Sequence, residues 1–450
     1  MRSSVLTFLG ATGTVTGSRF HVESQATQLL VDAGLYQGRK ELRLRNWDPF
    51  ARDPGALAAI VLTHAHLDHC GYIPRLVKEG FRGRIVCTPQ TAELAAIVLR
   101  DSAHLLQEEA SYANERGYAQ HQPALPLYDE ADVEKALALV EPLPLDSSVP
   151  IGDDVTVTLR SAGHILGSAT ALVATAGGRV LFSGDLGRGR HPLLPAREDP
   201  PAADLMVIES TYGDRVHPAP DTTLKDAICR TIDRGGAVLI PAFAVDRTEL
   251  VLLKLGQLMR DGEIPSVPVV VDSPMAIAAL AVYQRALHDA GLMGGFGIPV
   301  LRAVSHAAES MALNRPAKPT IIVSASGMAT GGRVVHHLAH QLPDPRNTVV
   351  LTGYQAEGTR GRALAEGARA VKIHGRYVPV HAEIVVDDSF SAHADADEML
   401  AWLARAPQPP RTVFVVHGES GPAANLARRI HQELGWTAVV PYLGERVRID

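Results

Sequence analysis

The sequence predicts an α/β protein in which one domain is interrupted by another. Three observations carry that prediction. Up to Glu209 the chain alternates short apolar runs with long loops. From 211 to 374 strand-like runs alternate with helix-length amphipathic segments, the texture of a parallel sheet covered on both faces. From 375 the short-element rhythm returns, so residues 1–210 and 375–450 are expected to form one domain around an insert at 211–374.

With 450 residues, 46% of them apolar and 20% charged, the chain can bury more than one core. A formal charge of −6 excludes a broadly basic, nucleic-acid-coating surface but leaves a local basic groove open. Bound cations would add positive charge that residue counting misses. Cys70, Cys87 and Cys229 are odd in number and widely spaced, which fits neither a disulfide framework nor a thiolate zinc site and points to a reducing cytoplasm. The first residues lack the apolar segment of a secretion signal, and no apolar run reaches spanning length, so no membrane association is expected.

In order, "VLTFLG" reads as a strand entering the loop "GATGTVTGS", "QATQLLVDAG" as a strand ending at Asp32, and "LAAIVLTHAH" as a buried strand. Further strands are expected in "GRIVCT", "VTVTLRSAGH", "ATALVATAGGRVLFSGD" and "LMVIES". Apolar residues three and four apart predict helix over much of 90–117 and again near 130–140, with 141–150 as a connector. In the insert, strands in "AVLIPAF", "VPVVVDS", "PTIIVSAS" and "NTVVLTG" are separated by helical segments. After it come "AEIVVDDSFSAH", a helix at 395–405, and "RTVFVVHGES".

The chemistry concentrates in "LTHAHLDHCG", residues 62–71. His64, His66, Asp68 and His69 follow a buried strand, where alternate residues can face two ions held close together. Four ligands cannot complete two ions, and His164, Asp185 and His417 supply more, each shortly after an apolar strand.

This HxHxDH run, preceded by the strand ending at Asp32, resembles the signature of the metallo-β-lactamase fold, an αββα sandwich with a dinuclear site. The resemblance implies that His64, His66 and His164 hold one ion, that Asp68, His69 and His417 hold the other, and that Asp185 bridges. Asp32 would brace the ligand loop. Two Zn2+ ions are implied, with Mn2+ as an alternative.

Glu209 before "TYGDR", His393 in "SFSAHAD" and His417 in "VVHGE" resemble the three additional motifs of the β-CASP branch, whose members cleave nucleic acids and carry an inserted α/β cap. Histidine at the last motif is the RNA-processing form. The resemblance thus implies a compact bacterial ribonuclease acting on single-stranded RNA, endonucleolytic with 5′-exonuclease action as an option. A two-metal-activated hydroxide would leave 5′-phosphate and 3′-hydroxyl ends. Asp68, Glu209 and His393 are the expected catalytic residues, His393 as the acid that protonates the leaving 3′ oxygen and Glu209 orienting its ring.

For holding RNA, the resemblance implies that "VSASGMATGG" contacts the substrate strand, which makes Ser326 and Gly327 candidates, and small residues before a helix also bring N–H groups to phosphate. Arg247 in "PAFAVDRTEL", which looks like a family cap motif, and Arg360 in the Gly-rich turn "GYQAEGTRG" are the others. Gly17 and Ser18 are expected to line the floor of the metal site. Grip on RNA is assigned to the cap cleft, with a homo-oligomeric partner as a further source. The segment "GRKELRLRNW" carries four basic residues against one acidic residue, and a charged solvated face is its default reading. A DNA nuclease on the same scaffold and a non-catalytic RNA-processing scaffold are the alternatives.

Overall fold

A computed structural model describes residues 4–117, 121–218, 222–289 and 296–450. The chain divides into two compact units, Met1–Val216 with His393–Asp450, and His217–Ala392.

The first unit contains two seven-stranded sheets. One runs, edge to edge, through Arg446–Arg448, Val5–Phe8, Phe20–Glu23, Gln28–Val31, Ala59–Val61, Arg84–Cys87 and Val140–Pro142. The other runs through Ala438–Val439, Thr412–Val415, Leu205–Ile208, Gly178–Phe182, Ala169–Thr175, Val155–Ser161 and Ser148–Ile151. Strand alternation sends Phe8, Phe20, Val22 and Val61 of the first sheet into one core with Val173, Phe182, Val207 and Phe414 of the second. Ring pairs cross that core, with Phe8 and Phe414 at 5.0 Å and Phe20 and Phe182 at 5.8 Å between centroids.

The opposite faces are covered too. Leu30, Ile60 and Ile85 alternate with inward residues yet are also buried, which is why these strands read as continuous apolar runs. On the second sheet Leu181, Met206, Val413 and Val415 share a cluster with Met399, Trp402, Leu426 and Ile430 of the helices Ala396–Leu403 and Ser420–Arg429 and the turn after them. The result is the expected αββα layering. The long helix Pro89–Arg116 begins where Thr88 accepts a hydrogen bond from the Thr91 N–H and stops at the left-handed Gly117.

The stretch 141–150 is not a plain connector. Its ends belong to the edge strands Val140–Pro142 and Ser148–Ile151, where Pro142 and Pro150 are tolerated because an edge leaves one side of the ladder unpaired. The chain changes sheets between them.

The second unit is built on a six-stranded sheet in the order Leu301–Ala303, Val269–Val271, Ile321–Ser324, Val238–Pro241, Thr348–Leu351 and Glu383–Val386, with every pairing parallel. Val238, Ile240 and Val350 pack on one face, and Leu239, Val349 and Leu351 on the other. The expected boundary at 374/375 moves to 392/393, because Glu383–Val386 completes this sheet beside Thr348–Leu351. The hairpin Ala370–Ile373 with Arg376–Pro379 was also not foreseen. His374 and Gly375 turn it with φ of 46° and 78°, the positive values that a two-residue hairpin turn requires.

Candidate metal centre

Every expected metal donor lies just past the carboxyl end of a strand. Gln28–Val31 and Ala59–Val61 run parallel and deliver Asp32 and the loop from Thr63 to Cys70. In the other sheet Gly178–Phe182, Leu205–Ile208 and Thr412–Val415 run parallel and deliver Asp185, Glu209 and His417. Two antiparallel steps bring Val155–Ser161 to the same direction, delivering His164. Strand direction therefore gathers at one place residues that are far apart in sequence.

The ligand loop is fixed by its backbone. Ser18 N–H donates to the Asp68 carbonyl at 2.9 Å, Ala33 N–H to that of His69 at 2.7 Å, and Leu35 N–H to that of Leu67 at 2.9 Å. Gly34 is required here because a Cβ at that position would overlap the Asp68 carbonyl.

Two donor sets face the two oxygens of Asp185. On one side His66 Nδ1 lies 3.2 Å from His64 Nε2 and 3.3 Å from His164 Nε2, while Asp185 Oδ2 lies 3.4 Å from His64 Nε2 and 3.6 Å from His164 Nε2. On the other side His69 Nε2 lies 3.2 Å from both His417 Nε2 and Asp185 Oδ1, and Asp68 Oδ2 lies 3.5 Å from His417 Nε2. Donors bound tetrahedrally at zinc–nitrogen lengths stand about 3.3 Å apart, so both sets fit divalent cations. The buried Asp185 Oδ1 has His69 Nε2 and His417 Nδ1 at 3.2 and 3.4 Å but accepts no well-formed hydrogen bond among the described residues, a demand that a cation meets.

Two of the remaining ring nitrogens are engaged away from the centre: His69 Nδ1 donates to Asp32 Oδ2 at 2.7 Å, and His64 Nδ1 lies 3.1 Å from Thr63 Oγ1. His417 Nδ1 lies 3.2 Å from Thr211 Oγ1 and 3.4 Å from Asp185 Oδ1. Asp32 is itself pinned by the Thr63 N–H at 2.8 Å and hydroxyl at 2.9 Å. Sequence reasoning found Asp32 but missed Thr63 and Thr211, although each stands beside a motif residue. Ser18 Oγ lies 3.4 Å from His69 Nε2, on the floor of the site. Gly17 instead accommodates the Tyr36 ring, which a Cβ would strike.

Charge follows geometry. Burial pulls His64 down to about 3, aided by neighbouring His69, so its imidazole is a neutral base. Burial and the nearby His393 hold His164 well below its usual range. For His69 burial acts downward, but the Asp185 and Asp32 carboxylates outweigh it and raise the pKa well above the usual range. Burial disfavours the Asp185 anion, yet His417, His69 and His64 hold its pKa well below normal. The pocket favours positive charge near Asp185.

Beside the donors, His393 Nδ1 lies 3.1 and 3.2 Å from the two oxygens of Glu209. Glu209 is fully buried and its Oε1 accepts the Leu186 N–H at 2.7 Å, its Oε2 the Thr211 N–H at 3.2 Å. The His164 ring stands 4.4 Å from that of His393 between centroids.

The expected substrate residues lie in the second unit and are occupied differently. Arg247 is buried and donates to the Thr352 carbonyl. Arg360 donates from Nη1 to the Ala329 and Thr330 carbonyls, both at 3.0 Å, and from Nε to that of Lys372 at 2.7 Å. Ser326 Oγ accepts the Thr330 N–H at 3.1 Å, and Gly327 packs so tightly on Phe243 that no Cβ fits. Sequence reasoning also missed a buried network on Asp272, which accepts from Arg333 at 2.6 Å and pairs with His337 at 2.6 Å. Asp272 ends the strand "VPVVVDS", so the strand-end rule that found Asp185 would have flagged it.

Fold and donor geometry together define a metallo-β-lactamase-type scaffold. A beta-lactamase superfamily domain matches residues 27–240, a Beta-Casp domain 248–364, and a Zn-dependent metallo-hydrolase RNA specificity domain 377–441. The chain belongs to the β-CASP branch of the metallo-β-lactamase superfamily.

Among its relatives, ribonuclease TTHA0252 of Thermus thermophilus is 37% identical over 91% of this chain and 92% of that protein. An RNase J-like protein of Methanocaldococcus jannaschii is 33% identical over 98% of both. The transcription termination factor FttA of Methanosarcina mazei is 31% identical over 95% of this chain and 69% of its own. A crystal structure of a protein of unknown function from Enterococcus faecalis shares the fold, with a TM-score of 0.54, 14% identity and coverage of 99% of this chain and 100% of that one. Among the described residues no helix is long and apolar enough to cross a membrane, and Cys70, Cys87 and Cys229 are unpaired.

Proposed function

We propose that the chain is a metal-dependent ribonuclease that hydrolyses phosphodiester bonds of single-stranded RNA in the cytoplasm, leaving 5′-phosphate and 3′-hydroxyl ends. The observation that carries this reading is the double-sided Asp185, with three imidazoles toward one oxygen, two imidazoles and the Asp68 carboxylate toward the other, and the His393–Glu209 pair alongside. Similarity to ribonucleases over nearly the whole chain supports RNA as the substrate. His64, His66 and His164 would hold one cation, Asp68, His69 and His417 the other, with Asp185 shared. Imidazole-rich sets of this kind suit Zn2+, with Mn2+ as the alternative.

Cations so held would supply Lewis acidity toward the phosphate and a water of lowered pKa. The chain's own residues supply the rest. Asp32 and Thr63 set which nitrogen of His69 and His64 faces the centre, and Thr211 lies against the His417 ring. Water oxygen attacks phosphorus as the bond to the 3′ oxygen breaks, and that oxygen takes a proton from His393 Nε2. Glu209, held by two backbone N–H groups, keeps Nδ1 of that ring engaged so that Nε2 faces the leaving group.

Digestion of end-labelled single-stranded RNA, with the equivalent DNA in parallel, tests this reading. His393→Ala is expected to lower turnover about 10²–10⁴-fold with bound metal retained. Unchanged cleavage by that variant removes His393 as the acid, and equal cleavage of DNA removes RNA as the specific substrate. Internal cuts by the unmodified protein mark endonuclease action.

A further inference from the structure

The segment Arg39–Trp47 has no role in the chemistry above, and its structure departs from that of a solvated charged face. It forms the helix Lys40–Leu44 followed by a tight turn Arg45–Trp47. Lys40, Arg43 and Leu44 fall at i, i+3 and i+4 of the helix, which places them on one face, and Trp47 follows three residues on in the turn. All four are exposed, Leu44 by 54% and Trp47 by 50%. A single exposed apolar residue is ordinary. A half-exposed indole and a leucine within a few residues of two exposed cations form an amphipathic strip turned toward water. No ion pair among the described residues holds Lys40 or Arg43.

The strip is also held in place. Asn46, in the turn, is buried; its Oδ1 accepts the Tyr36 N–H at 2.9 Å and Arg19 Nη2 at 3.1 Å, and its Nδ2 donates to the Tyr36 carbonyl at 2.8 Å. Arg19 Nε in turn donates to the Gly34 carbonyl at 2.9 Å, beside the Asp68 backbone of the ligand loop. Lys40 is six residues beyond Gly34, so the strip begins at most about 22 Å from that loop. That is about six or seven stacked nucleotides at roughly 3.4 Å each.

We propose that this strip is a binding site for the single-stranded nucleic acid substrate, with a base stacked on Trp47 and phosphates met by Lys40 and Arg43. The choice of occupant rests on charge and on the ribonuclease reading. In a chain of formal charge −6, residues 39–45 carry four basic groups against Glu41 alone. Combining an aromatic face with flanking cations is how single strands are held without regard to sequence. The turn at Asn46 lets the indole present its face without side-chain reorganisation on binding.

The test measures binding of a fluorescently labelled 15-nucleotide single-stranded RNA by anisotropy, using the full chain loaded with metal and carrying His393→Ala so that the probe survives. Adding Trp47→Ala is expected to weaken binding about tenfold. Adding Lys40→Ala with Arg43→Ala is expected to flatten the slope of log affinity against log salt by about 1.4. Thermal midpoints and metal content of each variant verify folding. Affinity within twofold of the parent and an unchanged salt slope overturn the strip as an RNA site, even if a protein is then found to bind it. Cleavage by the unmodified chain is scored separately. If it cuts RNA while the strip variants bind normally, the strip alone falls; if it binds RNA through the strip without cutting, only the ribonuclease reading falls.

Discussion

The ligand loop of the first unit and the Gly-rich turns of the second are built on the same plan, polar residues placed just past a parallel strand, yet they end differently. At Asp185 the polar atoms converge on one another, nitrogen to nitrogen at 3.2–3.3 Å, a spacing that fits donors gathered around cations. At Arg247 and Arg360 guanidinium nitrogens instead donate to backbone carbonyls of neighbouring loops, Nη1 of Arg247 to that of Thr352 and Nη1 of Arg360 to those of Ala329 and Thr330. The lesson is that a strand-end polar residue is a site candidate in proportion to what its neighbours leave unsatisfied. Backbone carbonyls exposed at tight turns attract arginine for purely internal reasons.

The comparison can be broken most severely at Asp185. Asp185→Asn keeps the shape but removes the charge shared by both donor sets, so activity on labelled RNA should fall about a thousandfold or more, and elemental analysis should find less than full metal. Full metal with near-normal turnover would mean that the two sets do not act through this carboxylate. One step outward, Asp32→Asn leaves the left-handed backbone tolerable while weakening the hold on His69 Nδ1. Metal affinity, measured against a competing chelator, should drop about 10- to 100-fold. The smallest effect belongs to the second unit. Arg247→Met should cost about 1–3 kcal/mol of stability by leaving the Thr352 carbonyl without its donor, seen as a lower denaturation midpoint. A variant of normal stability but weakened RNA binding would reverse the contrast and return Arg247 to the substrate.

Legibility in the sequence followed the same division. His64, His66, Asp68 and His69 announce themselves because four donors in six positions have no common structural explanation, and Asp185 and His417 because an apolar run ends on them. Asp32 was readable for the same reason. Thr63 and Thr211 were not, since a threonine beside a motif looks like any strand residue until its hydroxyl is placed against a ring nitrogen. The expected end of the inserted unit at 374 lies next to the matched RNA specificity domain, which begins at 377, whereas the compact unit runs on to Ala392 because "AEIVVDDSF" supplies the strand that pairs with Thr348–Leu351. The turn at His374 and Gly375 was readable and passed over, hidden by the helix-like residues around it. Trp47 was counted as part of a charged run, although it follows Lys40 and Arg43 within a few residues.

Because the inserted unit comes between Glu209 and His393, the centre is completed in a fixed order as the polypeptide leaves the ribosome. His64, His66, His164 and Asp185 emerge first and already form one full donor set. His393 and His417 emerge only after the whole of His217–Ala392 has been made. On the assignment proposed above, a nascent chain holds the donors of one set while it still lacks both the proposed proton donor and one ligand of the second set, so the proposed reaction waits for the last segment.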